Sequence, residues 1–348
     1  MTACSRITAL LLAGLALLGT ACDRNGEGGG QPALNVYSAR HYQSDDALYE
    51  EFTRATGIEV HRIEAGEDEL MERIRQEGAA SPADVLITVD AGRLWRADQA
   101  GLFQPVESQL LRERIPASLR HPDGHWFGYA TRARLIFYDR QRIDPAGLAD
   151  YEDLADPRWK GELCIRSGNH VYNLSLMASL IAHHGLERAE EWARGVVANF
   201  AREPQGGDTD QIKAVAAGEC GIAVGNSYYF ARLLNSDDPD ERAVADKVGW
   251  IFPNQDDRGT HVNVSGAGLL ANAPNPSAGL AFLEFLASDE AQVRFAQASN
   301  EYPVVADAPL ENSALEQLGN FKRDELGVSA YGEHQAEAQK ALDRAGWK

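Results

Sequence analysis

The sequence has little cysteine, an excess of acidic over basic residues, and no long apolar run beyond its first residues. Cysteine accounts for 4 of the 348 residues, and 33 lysines and arginines stand against 52 aspartates and glutamates, a formal net charge of -19. Nucleic acid and anionic lipid head groups repel such a chain, so we expect no nucleic-acid partner. After residue 22 no stretch is apolar for the roughly 18 residues that a membrane-spanning helix needs. We therefore expect a soluble body, long enough for two domains.

The common sequence motifs of enzymes and nucleotide-binding proteins are also absent. There is no G-x-x-x-x-G-K-S/T, no H-E-x-x-H and no G-x-S-x-G, which excludes the usual phosphate-binding loop, zinc peptidase and serine hydrolase sites. Gly266-Ala267-Gly268 and the next three residues fit the dinucleotide pattern G-x-G-x-x-A. However, Pro274 and Pro276 interrupt any helix that would hold the pyrophosphate. Close backbone packing is the better explanation for these glycines.

Residues 1–21 have the composition of an export signal, with one arginine before a short apolar run at 9–18. Small residues then lead to Cys22, in an arrangement that resembles a bacterial lipobox with a lipidated cysteine. One lipobox position departs from the usual pattern, so an ordinary signal peptide cleaved nearby is the alternative. Residues 22–33 are rich in glycine and suit a flexible tether after a lipid anchor. We expect a periplasmic protein anchored to the inner membrane through Cys22.

From residue 34 onwards, short β-type runs alternate with amphipathic helical ones. Strands are predicted at 34–37, 58–63, 83–88, 163–166, 221–225 and 260–265. Helices are predicted at 45–56, 67–77, 92–100, 174–184, 187–199, 208–217, 277–286 and 290–298, and the tail from 307 is acidic and helical. This alternation favours mostly parallel sheets covered by helices on both faces. The β-prone stretch at 126–139 contains no strong turn, so we expect it to leave one domain and enter another.

Two cysteines, Cys164 and Cys220, remain in the body of the chain, each in an apolar segment that begins a predicted strand. An extracytoplasmic compartment allows such a pair to oxidise. A disulfide is therefore predicted. Two separately buried thiols are the alternative, because spacing in sequence does not fix the separation of the Cα atoms.

Two polar aromatic segments that are far apart in sequence suggest a metal site. Tyr228-Tyr229 follows a predicted strand, and His41-Tyr42 lies near the start of the body. If the fold brings them together, several phenol oxygens and an imidazole surround one point. A phenol, with a free pKa of about 10, loses its proton readily only to a hard, strong Lewis acid such as Fe³⁺. The alternative is that Tyr228 and Tyr229 pack on the core and reach water with their hydroxyls.

Two other pairs of histidines have simpler explanations. His183 and His184 end a predicted helix, where the helix dipole and solvent account for them. His121 and His125 flank Pro122-Asp123-Gly124, a turn sequence, and we expect both on the loop surface.

Segments spread along most of the chain carry a family resemblance. The sequence reads V-Y-S-A-R-H-Y at 36–42, S-P-A-D-V-L-I-T-V-D at 81–90 and N-S-Y-Y at 226–229, with supporting segments at 151–157, 202–208, 261–266 and 301–304. Together these segments resemble the ferric-iron-binding proteins of bacterial ABC importers. The similarity is strongest to the branch with cyanobacterial and Campylobacter proteins, which use four tyrosines, often with a histidine, and require no synergistic anion. The resemblance implies an α/β, two-lobed periplasmic binding protein fold of type II, with crossing hinge strands.

The resemblance also implies the ligands of Fe³⁺, the transported ion. These are His41 and Tyr42 from the first lobe, with Tyr172, Tyr228 and Tyr229 from the second. His170, two residues before Tyr172, departs from the family pattern.

Charge counting adds candidates around these ligands. Fe³⁺ with four phenolates and a neutral imidazole carries one net negative charge, which a buried site must balance. The arginines nearest in sequence to the ligands or the hinge are Arg40, Arg132, Arg134 and Arg232. An arginine that donates to a phenolate would hold it ionised and oriented. For each arginine, a salt bridge on the rim is the alternative.

The family pattern assigns residues 34–129 and 261–304 to the first lobe, and 130–260 and 305–348 to the second. It implies a monomer that closes around Fe³⁺ and delivers it to an ABC permease driven by a cytoplasmic ATPase. An enzyme is not expected. A metal-dependent enzyme needs an open coordination position with a base beside it, and the sequence offers no clear pair of this kind. The other alternative is the same fold with an organic cation or an anion bound by the tyrosines.

Overall fold

The structure, a computed structural model, describes residues 33–40 and 45–348, which fall in one unit spanning Pro32–Lys348. The predicted export signal, Cys22 and nearly all of the tether lie outside the described residues, as do His41 and Tyr42. Among the residues that are described, none of the helices has the length and apolar character needed to cross a membrane.

Strands and helices alternate through most of the described chain, as predicted. The strands are β1 (Ala33–Ser38), β2 (Glu59–Glu64), β3 (Val85–Val89), β4 (Phe127–Asp139), β5 (Leu163–Cys164), β6 (Ile222–Asn226), β7 (Val248–Ile251), β8 (Val262–Leu269) and β9 (Tyr302–Pro303). The helices are α1 (Asp45–Thr56), α2 (Glu67–Glu77), α3 (Ala91–Gln99), α4 (Gln109–Arg114), α5 (Val171–His184), α6 (Leu186–Ala198), α7 (Asp208–Ala217), α8 (Ser227–Leu234), α9 (Pro239–Lys247), α10 (Pro276–Leu286), α11 (Asp289–Ser299), α12 (Ser313–Leu318), α13 (Ser329–Glu333) and α14 (Gln335–Ala345). Helices α1, α2 and α7 have the predicted bounds.

The strands form a continuous order, β2-β1-β3-β8-β4-β6-β5, and β7 and β9 also pair with β4. Strand β4 pairs with strands in both halves of the sheet. Residues 127–133 of β4 pair with β8, and residues 134–138 pair with β6. The stretch predicted to pass from one domain to another is therefore the strand that joins the two halves.

The sheets are mixed, whereas mostly parallel sheets were predicted. Strand β1 runs parallel to β2 and β3, and β5 runs parallel to β6. In contrast, β8 is antiparallel to β3 and β4, and β4 is antiparallel to β6, β7 and β9. The prediction assumed that a helix returns each strand to its neighbour, which produces parallel pairs. This holds for β1, β2 and β3 but not for β4 and β8, which reach their partners after long excursions. The α/β class is confirmed.

The two glycines of the dinucleotide-like pattern lie within β8, where neighbouring backbone approaches closely. A Cβ added at Gly266 would lie 2.6 Å from the carbonyl oxygen of Phe127, and one at Gly268 would lie 2.5 Å from that of His125. Since β8 continues through both positions to Leu269, no helix begins at the glycines. Close packing, as predicted, explains them.

The second half of the sheet has its own apolar packing and a covalent link. Phe137 on β4 packs against Phe230 on α8, with ring centroids 5.2 Å apart, in a buried cluster that also contains Val215 of α7. Cys164 at the end of β5 and Cys220 just before β6 are joined by a disulfide, with Cα atoms 5.9 Å apart. The disulfide links β5 to the residues before β6, and the aromatic contact packs α8, which follows β6, against β4.

Candidate metal centre

Tyr172 is the second residue of α5 and projects from the helix's first turn. His170 caps the helix, because its Nδ1 accepts a hydrogen bond from the backbone N–H of Tyr172 at 3.3 Å. The preceding loop is held by Asn173, whose side-chain amide donates to the carbonyl oxygens of Arg166 and Ser167, each at 3.0 Å. The Tyr172 side chain is therefore presented from a fixed loop and helix start.

Tyr228 and Tyr229 lie in the first turn of α8, which follows β6 without a loop. The strand end is anchored by Asp208, whose Oδ2 accepts from the N–H of Asn226 at 2.8 Å. Ser227 Oγ accepts from the N–H of Ala133 on β4 at 3.2 Å. The two tyrosine rings lie 4.1 Å apart between centroids, and Tyr228 is buried. The pair thus begins a helix, in which Tyr228 is buried and Tyr229 packs against the buried cluster of this half.

The structure brings Tyr172 and Tyr228 together, with 3.0 Å between their hydroxyl oxygens. Two oxygen ligands in neighbouring positions on one ion, with metal–oxygen bonds of about 2 Å, are separated by about 3 Å. Both residues stand at helix N-termini, where exposed backbone N–H groups favour a negatively charged phenolate. With Tyr229 they line a cavity of 410 Å³. This donor set suits a hard cation.

Arg132 lies beside these phenols and has hydrogen-bonding capacity left over. Its guanidinium carbon is 5.7 Å from the centre of the Tyr172 ring, and its Nη1 donates to Ser265 Oγ at 3.1 Å. Its Nε and Nη2 are buried and lack a partner among the described residues. Burial acts to lower the pKa of Arg132, but Glu301 and Tyr172 outweigh it and raise the pKa. A permanent positive charge therefore faces the tyrosines.

Arg134, by contrast, is already paired beneath the site. Its Nη1 donates to Asp208 Oδ2 at 2.7 Å and its Nη2 donates to Asn173 Oδ1 at 2.6 Å. Arg166 approaches the other oxygen of the same aspartate, Oδ1, at 3.1 Å, and its guanidinium carbon lies 5.2 Å from the Tyr172 ring centre. Arg134 thus braces the loop and the strand that carry the tyrosines.

Arg40 is buried and bridges two carboxylates of the other half. Its Nε lies 2.9 Å from Asp45 Oδ2, its Nη1 lies 2.9 Å from Glu301 Oε2, and its Nη2 donates to Ser299 Oγ at 3.1 Å. It also lines the 410 Å³ cavity. Arg40 is the last described residue before His41 and Tyr42. The bridge therefore fixes the position from which these two predicted ligands continue.

The remaining predicted arginine stands at the cavity rim. Arg232 is exposed and donates to Thr209 Oγ1 at 3.1 Å. Across the cavity, Arg93 lies 2.6 Å from Glu67 Oε2. Both Arg93 and Glu67 also line an adjoining cavity of 730 Å³, on which His170 opens.

His170 is a neutral imidazole in this setting. Burial and the guanidinium of Arg166 lower its pKa to about 3. Because its Nδ1 accepts from the Tyr172 N–H, the proton of the neutral ring is on Nε2. Its ring meets that of Tyr172 edge-on, with centroids 4.5 Å apart. The departure from the family pattern is thus accounted for by a helix cap.

Several residues that shape the site were not predicted as part of it. Arg93, Arg166 and Asp208 contact the cavity or its supports, and Asp90 lies on the opposite side, at the end of β3. Asp90 and Arg166 both follow the carboxyl end of a strand, the edge where ligands of open α/β sheets bind. That position is the signal that sequence reading could have used.

Comparisons with known proteins agree with this geometry. A family model described as bacterial extracellular solute-binding protein matches residues 80–322. The iron uptake protein A2 of Synechocystis sp. is 51% identical to this chain over 344 residues, 98% of this chain and 95% of that protein.

Solved structures give the same result. The Trichodesmium protein IdiA (FutA), solved with iron and citrate ligands, is 55% identical, has a TM-score of 0.88, and is matched over 91% of this chain and 100% of its own. The ferric binding protein from Campylobacter jejuni is 42% identical with a TM-score of 0.85, over 90% of this chain and 100% of its own.

Proposed function

The chain belongs to the family of bacterial extracellular solute-binding proteins, and we propose that it captures ferric iron in the cleft lined by its tyrosines and delivers it to an ABC permease. The predicted two-lobed, type II periplasmic binding protein fold is confirmed by the solved relatives. Members of this family bind and carry solutes; they are not enzymes. The observation that carries the iron proposal is the 3.0 Å approach of the Tyr172 and Tyr228 hydroxyls beside Arg132.

The choice of Fe³⁺ over other ions follows from the donor atoms. Tyr172, Tyr228 and Tyr229 offer phenol oxygens, and a phenolate is a hard, basic ligand that a trivalent ion binds best. Divalent transition metals favour imidazole and thiolate, and Ca²⁺ and Mg²⁺ favour carboxylate and carbonyl oxygen. In this proposal His41 and Tyr42 complete the shell from the other side of the cleft.

Charge balance supports the same assignment. With four phenolates and a neutral imidazole, the ferric site carries one net negative charge. Arg132 is placed to offset it, because two of its N–H donors are buried without a partner beside Tyr172. Its Nη1 already lies 3.5 Å from Glu301 Oε1, but buried N–H donors without an acceptor are costly, and an anionic group in the cleft would satisfy Nε and Nη2. Arg134 and Arg40 act less directly, since carboxylates pair with them more closely, at 2.7 Å and 2.9 Å.

Capture is proposed to proceed by closure of two lobes, 34–129 with 261–304 and 130–260 with 305–348. Fe³⁺ first meets ligands of one lobe, and the ligands of the other lobe then complete the shell. Only an ion that contacts both sets stabilises the closed form, so selectivity is the difference in binding free energy between open and closed forms. Protonation of the phenolates, or reduction to Fe²⁺, weakens the shell and assists release.

Membership of the family makes an ABC permease the docking partner, outside the cytoplasm. We further propose that the protein is a monomer, that residues 1–21 are removed on export, and that a lipid on Cys22 holds the chain at the inner membrane through the tether at 22–33. Labelling of cells with a radioactive fatty acid should mark the unaltered protein and not Cys22→Ser. Absence of label from the unaltered protein would exclude the anchor.

The rival for this cleft is an organic cation or an anion bound by the same tyrosines. A stacked organic solute needs ring faces that are accessible and separated, whereas Tyr172 and Tyr228 converge through their hydroxyls. The rival predicts that the metal-free protein is stabilised by the organic solute and not by Fe³⁺.

A stoichiometry measurement tests the proposal. Metal-free protein is mixed with ferric nitrilotriacetate, desalted and assayed for iron, with thermal unfolding measured in parallel. We expect one Fe³⁺ per chain and a raised Tm, because a ligand that binds only the folded state stabilises it. Ga³⁺, which is trivalent and hard but is not reduced, should replace Fe³⁺. Tyr172→Phe should lower the iron retained, whereas Tyr138→Phe, a control on β4 away from the cavity, should not. No bound iron in the unaltered protein would overturn the proposal.

A further inference from the structure

Away from the cleft, three side chains with metal-binding chemistry converge where α3 ends beside the turn before β4. Asp98 Oδ1 lies 2.5 Å from His125 Nδ1, and Asp98 Oδ2 lies 3.5 Å from His121 Nε2. A ligand atom from each residue lies within 4.8 Å of those of the other two. Two imidazoles and a carboxylate form a ligand set for Zn²⁺ and Cu²⁺. We propose that Asp98, His121 and His125 bind a divalent transition-metal ion, at a site separate from the iron cleft.

The two imidazoles are held in place before any ion arrives. Their rings are parallel within 1°, with centroids 4.6 Å apart. Backbone hydrogen bonds hold the ends of the turn that carries them: His121 N–H donates to Trp126 O at 2.9 Å, and Gly124 N–H donates to His121 O at 3.1 Å. Gly124 adopts a φ of +78°, which favours glycine. Because the side chains are already ordered, ion binding loses little conformational entropy.

Charge and access also favour an ion here. In the described part of the chain, the ion-pair partners of Asp98 are these two histidines, with no lysine or arginine among them. A divalent cation would neutralise the carboxylate. The side chain of His125 is 28% exposed, so water reaches the cluster and can complete the coordination shell. Three protein ligands plus water is a common zinc arrangement.

Binding requires a local change in the turn. His121 Nδ1 accepts a hydrogen bond from the Asp123 N–H at 3.1 Å, so the proton of the neutral ring is on Nε2 and faces Asp98. An ion at Nε2 shifts this proton to Nδ1, and the Asp123 N–H must turn away from the ring. Pro122 and Asp123 are exposed, which leaves the turn free to adjust. The proton of His125 moves from Nδ1 to Nε2 in the same way.

The competing explanation is a set of ordinary imidazole–carboxylate hydrogen bonds without an ion. Single pairs of this kind occur elsewhere in the described chain, at His183–Asp324, His184–Glu152 and His334–Glu337. What distinguishes the Asp98 cluster is a second imidazole on the same carboxylate. The single pairs therefore provide matched controls.

The first test is a calorimetric titration of the metal-free, full-length protein with Zn²⁺. We expect His121→Ala and His125→Ala each to weaken one Zn²⁺ site by about tenfold or more, because each removes one of the three ligands. His334→Ala removes an imidazole from a single pair and should leave the titration unchanged. Zn²⁺ binding that is the same in the unaltered protein, His121→Ala and His125→Ala would overturn the proposal.

A second measurement can contradict the site with the unaltered protein alone. One equivalent of Cu²⁺ is added to the unaltered protein and its electron paramagnetic resonance spectrum recorded. The proposal predicts hyperfine coupling to two imidazole nitrogens, and coupling to one in His125→Ala. A spectrum of the unaltered protein with fewer than two coupled nitrogens would contradict the site. Asp98→Asn, which keeps the side-chain shape, should weaken Zn²⁺ binding but preserve the stacked rings.

Discussion

Ser175 on α5 donates a hydrogen bond to Asp90 at the end of β3, with 2.7 Å between Oγ and Oδ1. Both residues are fully buried, and Asp90 has a φ of +86°, an unusual conformation for a residue with a side chain. The same carboxylate accepts from the N–H of Gly92 at 2.9 Å and from Asn263 Nδ2 at 2.8 Å. Because β3 and α5 belong to different proposed lobes, this bond joins them close to the tyrosine cavity.

The first prediction concerns this link. Ser175→Ala removes the donor and leaves a buried carboxylate with less compensation, which should cost about 1–2 kcal/mol of unfolding free energy. If the bond favours the closed form, the iron-free variant should also have a larger radius of gyration in small-angle X-ray scattering. Ser179→Ala is the matched control, since Ser179 Oγ donates within α5 to the carbonyl oxygen of Leu176. Equal effects of the two substitutions would mean that the bond does not control closure.

The second prediction separates the proposed arginines. Arg132→Gln removes the positive charge beside the phenols and should lower Fe³⁺ affinity by about 10- to 100-fold, as expected when a group supporting a metal ligand is lost. Arg232→Gln, on the exposed rim, should change affinity by less than about threefold because solvent screens its charge. Competition with citrate for iron measures both. Similar losses in the two variants would remove Arg132 from its assigned role.

The third prediction concerns pH and the stability of the metal-free protein. Burial, followed by the nearby Arg134, lowers the pKa of His261 well below its ordinary value. On acidification through about pH 6.5 the His261 side chain takes up a proton in the unfolded chain but not in the folded chain. The unfolding free energy therefore falls as the pH drops below about 6.5. His261 should lower it by about 1.4 kcal/mol per pH unit between pH 6 and 5.

Denaturant unfolding of His261→Phe between pH 7 and 5 checks this slope. The variant should show a weaker loss of stability on acidification than the unaltered protein. His334→Ala, which removes a half-buried histidine on another element, should follow the unaltered protein. Parallel curves for His261→Phe and the unaltered protein would show that His261 takes up a proton equally in both states.

The fourth prediction concerns the disulfide. Cys164 and Cys220 are separated by 56 residues, and a link across a loop of this size typically stabilises a protein by about 2–4 kcal/mol. Reduction, or the double substitution Cys164→Ser with Cys220→Ser, should lower the unfolding free energy by this amount. Alkylation of the denatured protein before and after reduction, followed by mass spectrometry, checks the bond itself. Alkylation of Cys164 and Cys220 themselves before reduction would exclude it.

The sequence allowed most of the helices and the family to be predicted because both depend on local or linear patterns, but α4, α8 and α9 were not predicted. Periodicity located α1, α2 and α7 at their observed bounds. Strand direction was harder, because the antiparallel pairing of β4 and β8 depends on contacts between segments over 100 residues apart. Hydrophobic alternation carries no information on which strand lies next to which.

In the candidate site, too, residues that form a sequence motif were predicted and residues brought together by distant contacts were missed. Tyr228 and Tyr229 stand out as a dipeptide, but their meeting with Tyr172 was implied only by family resemblance. Arg166 and Asp208 were missed because neither forms a motif. His121 and His125 were expected on the surface, yet they are partly buried and share Asp98, which precedes His121 by more than 20 residues. Residues on a turn and on a helix distant in sequence form no sequence motif, so only the folded structure shows that they are neighbours.

The visible spectrum on addition of ferric nitrilotriacetate tests the central claim most directly. A phenolate bound to Fe³⁺ gives a visible charge-transfer band, which an organic solute or Zn²⁺ does not produce. The unaltered protein and the control Tyr138→Phe should both turn coloured with one equivalent of iron. The double variant Tyr228→Phe with Tyr229→Phe should lose most of the band, because half of the four proposed phenolates are removed. A colourless unaltered protein, or a band of full intensity in the double variant, would contradict iron capture by this tyrosine cluster.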